Sequence, residues 1–125
     1  MIKLVFCVRK RPEISQEEFS RYWLNQHGPL VKSKAEELNM KKYVQSHTTN
    51  MALGNSVASE RGMKLAGFDG ITEVWWENIE ALQRALGTEV GQAASLMLAE
   101  DEARFIDMEA STIFFTEEHD IFSFD

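Results

Sequence analysis

The stretch from residue 19 to residue 31 constrains the fold more than any other part of this 125-residue chain. Ser15 and Glu18 just before it form the pattern of a capping box, which predicts that a helix begins here. Aromatic and apolar residues then recur at helical spacing: Phe19, Tyr22, Trp23 and Leu30. The stretch is therefore predicted to be a helix with one aromatic and apolar face.

A proline interrupts this helical pattern. Pro29 has no N–H to donate to the carbonyl of Asn25, and it disfavours helical dihedral angles at Gly28. We therefore predict a kink or a short gap at His27–Gly28, with free backbone polar groups beside an imidazole. Two interpretations of His27 stay open, because its ring either bonds to those local backbone groups or turns towards a cavity.

The composition excludes several classes of protein. A formal net charge of −7 argues against nucleic acid or an anionic membrane as a partner, and a hydrophobic fraction of 44% argues against disorder. The single Cys7 forms no internal disulfide, which fits a reducing compartment. No secretory leader or membrane-spanning apolar run is apparent. We expect a single domain over residues 1–125 in the cytoplasm.

The order of the predicted elements indicates the fold class. Four segments have the patterns of strands: residues 2–8, 42–48, 68–76 and 112–116. The interrupted helix follows the first strand and runs to about residue 38. A second helix starts after Asn78, breaks at Gly87 and resumes, and the acidic group at 100–102 is predicted to open a further short turn. The order βαββαβ predicts a ferredoxin-like α+β fold, with an antiparallel sheet and both helices on one face.

Two segments lie outside this pattern. Residues 49–67 have weak periodicity, so they are predicted to be either a lid that folds down or a disordered loop. Residues 117–125 are predicted to be an exposed C-terminal tail. The sheet face opposite the helices, on which Val5 and Cys7 lie, needs a cover, and this predicts a homodimer joined through the two sheets.

Motifs over nearly the whole chain resemble those of the EthD family. They are residues 17–31 with the His27-Gly28-Pro29 run, residues 69–76, residues 102–107 and residues 116–119. The resemblance implies a dimeric α+β barrel, in which two ferredoxin-like sheets close into a barrel. Relatives include muconolactone isomerases, polyketide cyclases, cofactor-free monooxygenases and some haem enzymes. The family is named from a gene cluster for degrading ethyl tert-butyl ether, where it accompanies a cytochrome monooxygenase system.

The resemblance also implies a ligand pocket between the sheet and the helices. Candidate catalytic residues are His27, His47 and Glu73, and the last two lie on neighbouring predicted strands. A carboxylate beside an imidazole makes a general acid–base pair, although a polar cross-strand pair or a Glu73 at the dimer interface are alternatives. Candidate ligand-binding residues are aromatic: Phe6, Tyr22, Trp23 and Trp75. Trp75 and Trp76 must face opposite sides of the sheet.

No cofactor or metal is predicted, because the chain has no phosphate-binding glycine motif, nucleophile elbow or zinc-ligand spacing. We expect processing of a small hydrophobic, phenolic or carbonyl-bearing molecule, by cofactor-free acid–base or oxidoreductase-type chemistry, in a role accessory to a degradation pathway. Two alternatives stay open. One is a protein that only binds or delivers a ligand, and the other is a structural dimer with a filled interior.

Overall fold

Four strands pair into one antiparallel sheet in the computed structural model, which describes residues 1–125. The strands are β1 (Ile2–Val8), β2 (Lys42–His47), β3 (Gly70–Trp76) and β4 (Thr112–Glu117). They lie in the order β2-β3-β1-β4, and all three pairings are antiparallel. The predicted ferredoxin-like α+β fold is therefore confirmed.

The helices connect these strands. They are α1 (Gln16–Tyr22), a π-helical turn (Trp23–His27), α2 (Gly28–Lys34), α3 (Met51–Glu60), α4 (Ile79–Leu86) and α5 (Glu89–Glu102). The side chains of Ser15, Asn78 and Thr88 accept N–H groups of the first turns of α1, α4 and α5. The predicted break at Gly87 separates α4 from α5. No helix is long and apolar enough to cross a bilayer.

The structure supplies the details of three local predictions. The helical backbone has no gap at His27–Gly28, because Gly28 keeps helical angles (φ −53°, ψ −53°) and its N–H donates to the carbonyl of Trp23 across a π turn. The wider turn relieves the contact that a proline ring makes with the carbonyl four residues back. The acidic group at 100–102 ends α5, and the N–H groups of Arg104 and Phe105 then donate to the carbonyls of Asp101 and Glu102, so the predicted short turn is confirmed. The segment predicted to be a lid or a disordered loop contains α3.

Strand alternation gives the sheet two different faces. The helix-covered face carries Phe6, Val74 and Trp76, which pack against helix residues such as Trp23 and Leu82. The opposite face, here called the open face, carries the alternate residues of the same strands: Lys3, Val5, Cys7, Val44, Ile71, Glu73, Trp75 and Phe114. The core therefore lies between the helices and the helix-covered face.

Candidate functional site

A cavity of about 280 Å³ lies between the helices and the helix-covered face of the sheet. Sixteen of its 20 lining residues are hydrophobic, and they include Phe6, Trp23 and Trp76. The polar members of the lining are few: His27, Thr72, Ser95 and Glu102. No lysine or arginine lines it. An apolar pocket with a few convergent polar groups is the usual form of a site for a small organic ligand.

His27 is held at this cavity by an aspartate. Only 3% of the residue is exposed, and its Nδ1 lies 2.7 Å from Oδ2 of Asp101. An ionised carboxylate only accepts hydrogen bonds, so Nδ1–H donates and Nε2 of the neutral ring carries the free lone pair. Nε2 lies 3.8 Å from Oε2 of Glu102, which also lines the cavity. Of the two interpretations of His27, the structure favours the ring that turns towards a cavity.

The π turn explains why two residues of one helix reach the same carboxylate. The hydroxyl of Tyr22 donates to Oδ1 of Asp101 at 2.6 Å, while His27 donates to Oδ2. In an α-helix, residues five apart point in different directions, because each residue rotates by about 100°. In a π turn, residues five apart are hydrogen-bonded neighbours and lie one above the other. The local widening at Trp23–His27 therefore aligns both donors with Asp101.

The surroundings shift the pKa values of three side chains at the site, in each case towards the uncharged form. Burial lowers the pKa of His27, and the hydrogen bond and charge of Asp101 oppose this effect only in part. Burial and the neighbouring charge of Asp101 raise the pKa of Glu102 to about 7. The hydrogen bond to Asp101 and burial both raise the pKa of Tyr22, which stays a phenol. Near pH 7 the site therefore holds a neutral imidazole beside a carboxyl group that is partly protonated.

The raised pKa of Glu102 predicts a pH-dependent stability. Between the ordinary value of 4.5 and about 7, the folded protein binds this proton more tightly than the unfolded chain does. The free energy of unfolding therefore falls as pH rises through this window, by up to about 3 kcal/mol from this group. His27, whose pKa is lowered, contributes the opposite slope below about 6.5.

Urea unfolding of the wild type and of Glu102→Gln at a series of pH values from 4 to 8 isolates the glutamate, because His27 is common to both proteins. We expect the stability of the wild type relative to the variant to decline with pH and to level off above pH 7. A difference that stays constant across the series contradicts the raised pKa.

The structure corrects the predicted pair of His47 and Glu73. The strand register places His47 opposite Gly70 and Glu73 opposite Val44, so the two side chains lie on different faces of the sheet. Glu73 binds Nζ of Lys3 at 2.8 Å on the open face. The interpretation in which Glu73 faces away from the pocket agrees with this placement.

His47 lies on the helix-covered face but does not line the cavity. Its ring stacks on Trp23, with ring centroids 4.3 Å apart, and its Nε2 lies 2.8 Å from Oε1 of Gln45. Gln45 in turn donates to the carbonyl of Trp23 at 2.8 Å, the same carbonyl that closes the π turn. His47 is thus part of the support behind the site.

The aromatic candidates divide in the same way. Phe6 and Trp23 line the cavity, whereas Tyr22 stands behind it and reaches it only through Asp101. Trp75 lies on the open face, where its indole N–H donates to Glu118, so its prediction as a pocket residue is wrong and Trp76 takes that place. Trp75 and Glu73 are two residues apart on β3, so their side chains lie on the same face of the sheet. Assigning that face to the helices places both in the pocket, and the opposite assignment removes both.

Asp101 and Glu102 are the site residues that the sequence prediction missed. Their signal was the acidic group at 100–102, followed by the motif at 102–107 that resembles the EthD family. The group was interpreted as the start of a separate helical turn, and nothing local shows that the end of α5 meets the π turn. No cluster of three or more His, Cys, Asp or Glu side chains in the structure is arranged to hold a metal ion.

The sheet order and the cavity beneath the helices define a ferredoxin-like α+β protein with an interior apolar site. The EthD domain model matches residues 11–109, so the chain belongs to the EthD family. No curated protein matches the sequence.

Solved structures share the fold at low sequence identity. An EthD family protein from Bacillus halodurans C-125 has 22% identity and a TM-score of 0.61, over 95% of this chain and 99% of that one. A protein from Bacteroides fragilis, described as dimeric, of unknown function and ferredoxin-like, has 11% identity and a TM-score of 0.57, over 94% and 95% of the two chains. A protein from Arabidopsis thaliana has 12% identity and a TM-score of 0.55, over 98% and 100%.

Proposed function

We propose that the cavity binds a small hydrophobic, phenolic or carbonyl-bearing molecule and moves a proton on it without a cofactor. The observation that carries this proposal is the buried imidazole of His27 at the polar end of an apolar cavity, with its Nδ1 hydrogen-bonded to Asp101. A carboxylate in this position sets the tautomer and orients the ring for proton transfer at Nε2. His27 is the proposed proton carrier.

The walls of the cavity suit such a ligand. Phe6, Trp23 and Trp76 supply aromatic surface, and Thr72 and Ser95 add hydroxyl groups that can bond to a ligand oxygen. A small ligand that fills this space displaces water from the imidazole, which strengthens the electrostatic interactions made in the site. Oxidoreductase-type chemistry in an accessory degradation role, as the family name suggests, belongs to the same proposal.

The rival proposal is a protein that binds and delivers a ligand without changing it. The same cavity supports that function. The two proposals differ because catalysis requires the imidazole of His27, whereas delivery of a ligand does not. The third alternative, a structural dimer with a filled interior, disagrees with the presence of a cavity of about 280 Å³.

The experiment is a proton-exchange assay on a small apolar ketone. We expect the protein to bind 2-tetralone, seen as quenching of tryptophan fluorescence, and to speed the exchange of its α-protons for deuterium in D₂O, followed by NMR. In His27→Gln, exchange is expected to fall by about 100-fold or more, because the proton carrier is lost, while affinity changes little. His119→Gln, in the exposed tail, is the control and retains wild-type exchange.

Each outcome of this assay distinguishes the proposals. Binding with no exchange in the wild type favours the delivery protein. If His27→Gln exchanges α-protons as fast as the wild type, His27 is not the proton carrier. The variant His47→Gln then shows whether the second histidine has that role. Absence of any quenching contradicts the proposed ligand class.

We also propose that the protein is a homodimer joined through the open faces of the two sheets. Phe114 and Ile71 on this face are 50% and 38% exposed. Monomeric proteins rarely expose a large apolar patch, so this face is suited to an interface. A structurally similar protein is described as dimeric. Phe114→Asp is expected to produce monomers by light scattering, whereas Leu96→Asp, at an equally exposed position on α5, keeps the dimer mass. A wild-type monomer, or a dimeric Phe114→Asp, contradicts this interface.

A further inference from the structure

We infer that the site catalyses a keto–enol proton shift on an uncharged ketone, with Glu102 as the general acid and His27 as the general base. This inference rests on the proposed function, in which the cavity moves a proton on a carbonyl compound. It adds a second catalytic residue, a class of reaction and the charge of the substrate.

The two groups are placed to act on one ligand. His27 and Glu102 both line the cavity, and Nε2 of His27 lies 3.8 Å from Oε2 of Glu102. This separation is too long for a hydrogen bond between them, so each group remains free to bond to a ligand atom. A ketone presents an acceptor, its carbonyl oxygen, and an acidic hydrogen on the neighbouring carbon, separated by the carbonyl carbon alone. Acid and base therefore reach the two ends of one enolisable unit.

The charges around the cavity favour an uncharged ligand. Asp101 is already bonded to Tyr22 and His27, and Nε of Arg104 lies 3.8 Å from its Oδ1. Glu102 is the only acidic residue in the lining, and no lysine or arginine lies among the lining residues. A carboxylate or phosphate on the ligand finds no counter-charge there and loses its hydration. The ligand is thus a neutral ketone rather than an organic acid.

The proton balance closes without any further reactant. The carboxyl O–H of Glu102 donates its proton to the carbonyl oxygen, and Nε2 of His27 takes a proton from the α-carbon. A double bond forms between the α-carbon and the carbonyl carbon, while the carbonyl double bond becomes a C–OH single bond. Glu102 is left as a carboxylate beside the imidazolium of His27. After the product leaves, a proton relayed from Nε2 to that carboxylate through one water molecule restores both starting forms, and no oxidant is needed.

The required protonation states are those that the environment favours. Burial raises the pKa of Glu102 and lowers the pKa of His27, so a protonated acid and a neutral base coexist near neutral pH. The other ionisable groups around the pair are Asp101, Arg104 and the phenols of Tyr22 and Tyr43. The phenols have raised pKa values and stay uncharged in this range. Exchange should therefore pass through a maximum below pH 7, between the lowered pKa of His27 and the pKa of about 7 of Glu102, and decline on both sides.

The test uses 2-tetralone exchange with Glu102→Gln. We expect the variant to bind 2-tetralone like the wild type, by tryptophan quenching, and to exchange α-protons about 100-fold more slowly. The decline in rate above pH 7 should disappear, because the acid that loses its proton there is gone. Glu100→Gln, at an exposed position on the same helix, is the matched control and keeps the wild-type rate and pH profile.

The possible results separate this inference from the proposed function. If Glu102→Gln keeps the wild-type rate and profile while His27→Gln loses exchange, Glu102 is not the acid and the proposed function stands. If the wild type binds 2-tetralone without exchange, the keto–enol shift is overturned and only ligand binding remains. Tighter binding of 2-naphthoate than of 2-tetralone overturns the uncharged substrate. Absence of binding by both overturns the inference together with its premise.

Discussion

Replacing Trp23 by alanine is expected to lower the free energy of unfolding by about 3–5 kcal/mol. The indole is fully buried and stacks on Phe19 and His47, with ring centroids 5.2 and 4.3 Å away. It also lies against Gly70, where an added Cβ would come within 2.6 Å of the ring. Alanine leaves a void in this contact between the first helix and the sheet, which the surrounding backbone cannot close.

Urea unfolding at pH 7 measures this effect. The matched control is Leu24→Ala, the next residue along the chain, whose side chain is largely exposed and whose loss is expected to change stability by no more than about 0.5 kcal/mol. Trp23→Phe should lie between the two, since it keeps an aromatic ring in the site. A loss below 1 kcal/mol for Trp23→Ala would be inconsistent with a core built around this indole.

Replacing Asp101 by asparagine is expected to slow 2-tetralone exchange by about 100-fold or more, although His27 itself is unchanged. The amide carries no charge, so the pKa of His27 falls further below its ordinary value. The amide can also donate to Nδ1, which favours the tautomer with Nε2 protonated and removes the base from the cavity. Tyr22 and His27 lose the charge that draws both donors to one residue.

NMR titration of the His27 ring, together with the exchange assay, tests this role for Asp101. If Asp101 is only structural, Asp101→Asn lowers the exchange rate and leaves the pKa of His27 unchanged. If Asp101 positions His27, the substitution changes both the rate and that pKa. Asp120→Asn in the exposed tail is the control and should change neither. Tyr22→Phe removes one donor from Asp101 and leaves its charge, so its effect on the rate should be smaller. An unchanged His27 titration in Asp101→Asn contradicts the role.

The sequence was sufficient for the parts of the fold that depend on neighbouring residues. The capping box at Ser15 and the cap at Asn78 predicted where α1 and α4 begin, and Gly87 predicted where α4 ends. Alternation in β1 and β3 predicted strands and therefore the βαββαβ order. The resemblance to the EthD family, read from motifs of residue types along the chain, agrees with the domain match over residues 11–109.

The choice of face was beyond local reasoning. Alternation states that Trp75 and Trp76 lie on opposite sides, but it does not say which side the helices cover. That choice depends on contacts of Trp76 such as its hydrogen bond to the carbonyl of Leu38, which lies 38 residues away along the chain. Glu73 and Trp75 were both predicted in the pocket because their shared face of β3 was taken to be the one that the helices cover. The strand pairing places both side chains on the open face.

By itself, the sequence determined the four strands, the helices of the βαββαβ order and the presence of His27 in the first helix, because capping, periodicity and proline effects act between residues close in the chain. It did not predict α3. Only the tertiary structure decided the site, because Asp101 and Glu102 lie more than 70 residues from His27 and meet it where α5 packs beside the π turn. The π turn takes the place of the predicted gap, because the N–H of Gly28 and the side chain of Gln45 in β2 both donate to the carbonyl of Trp23.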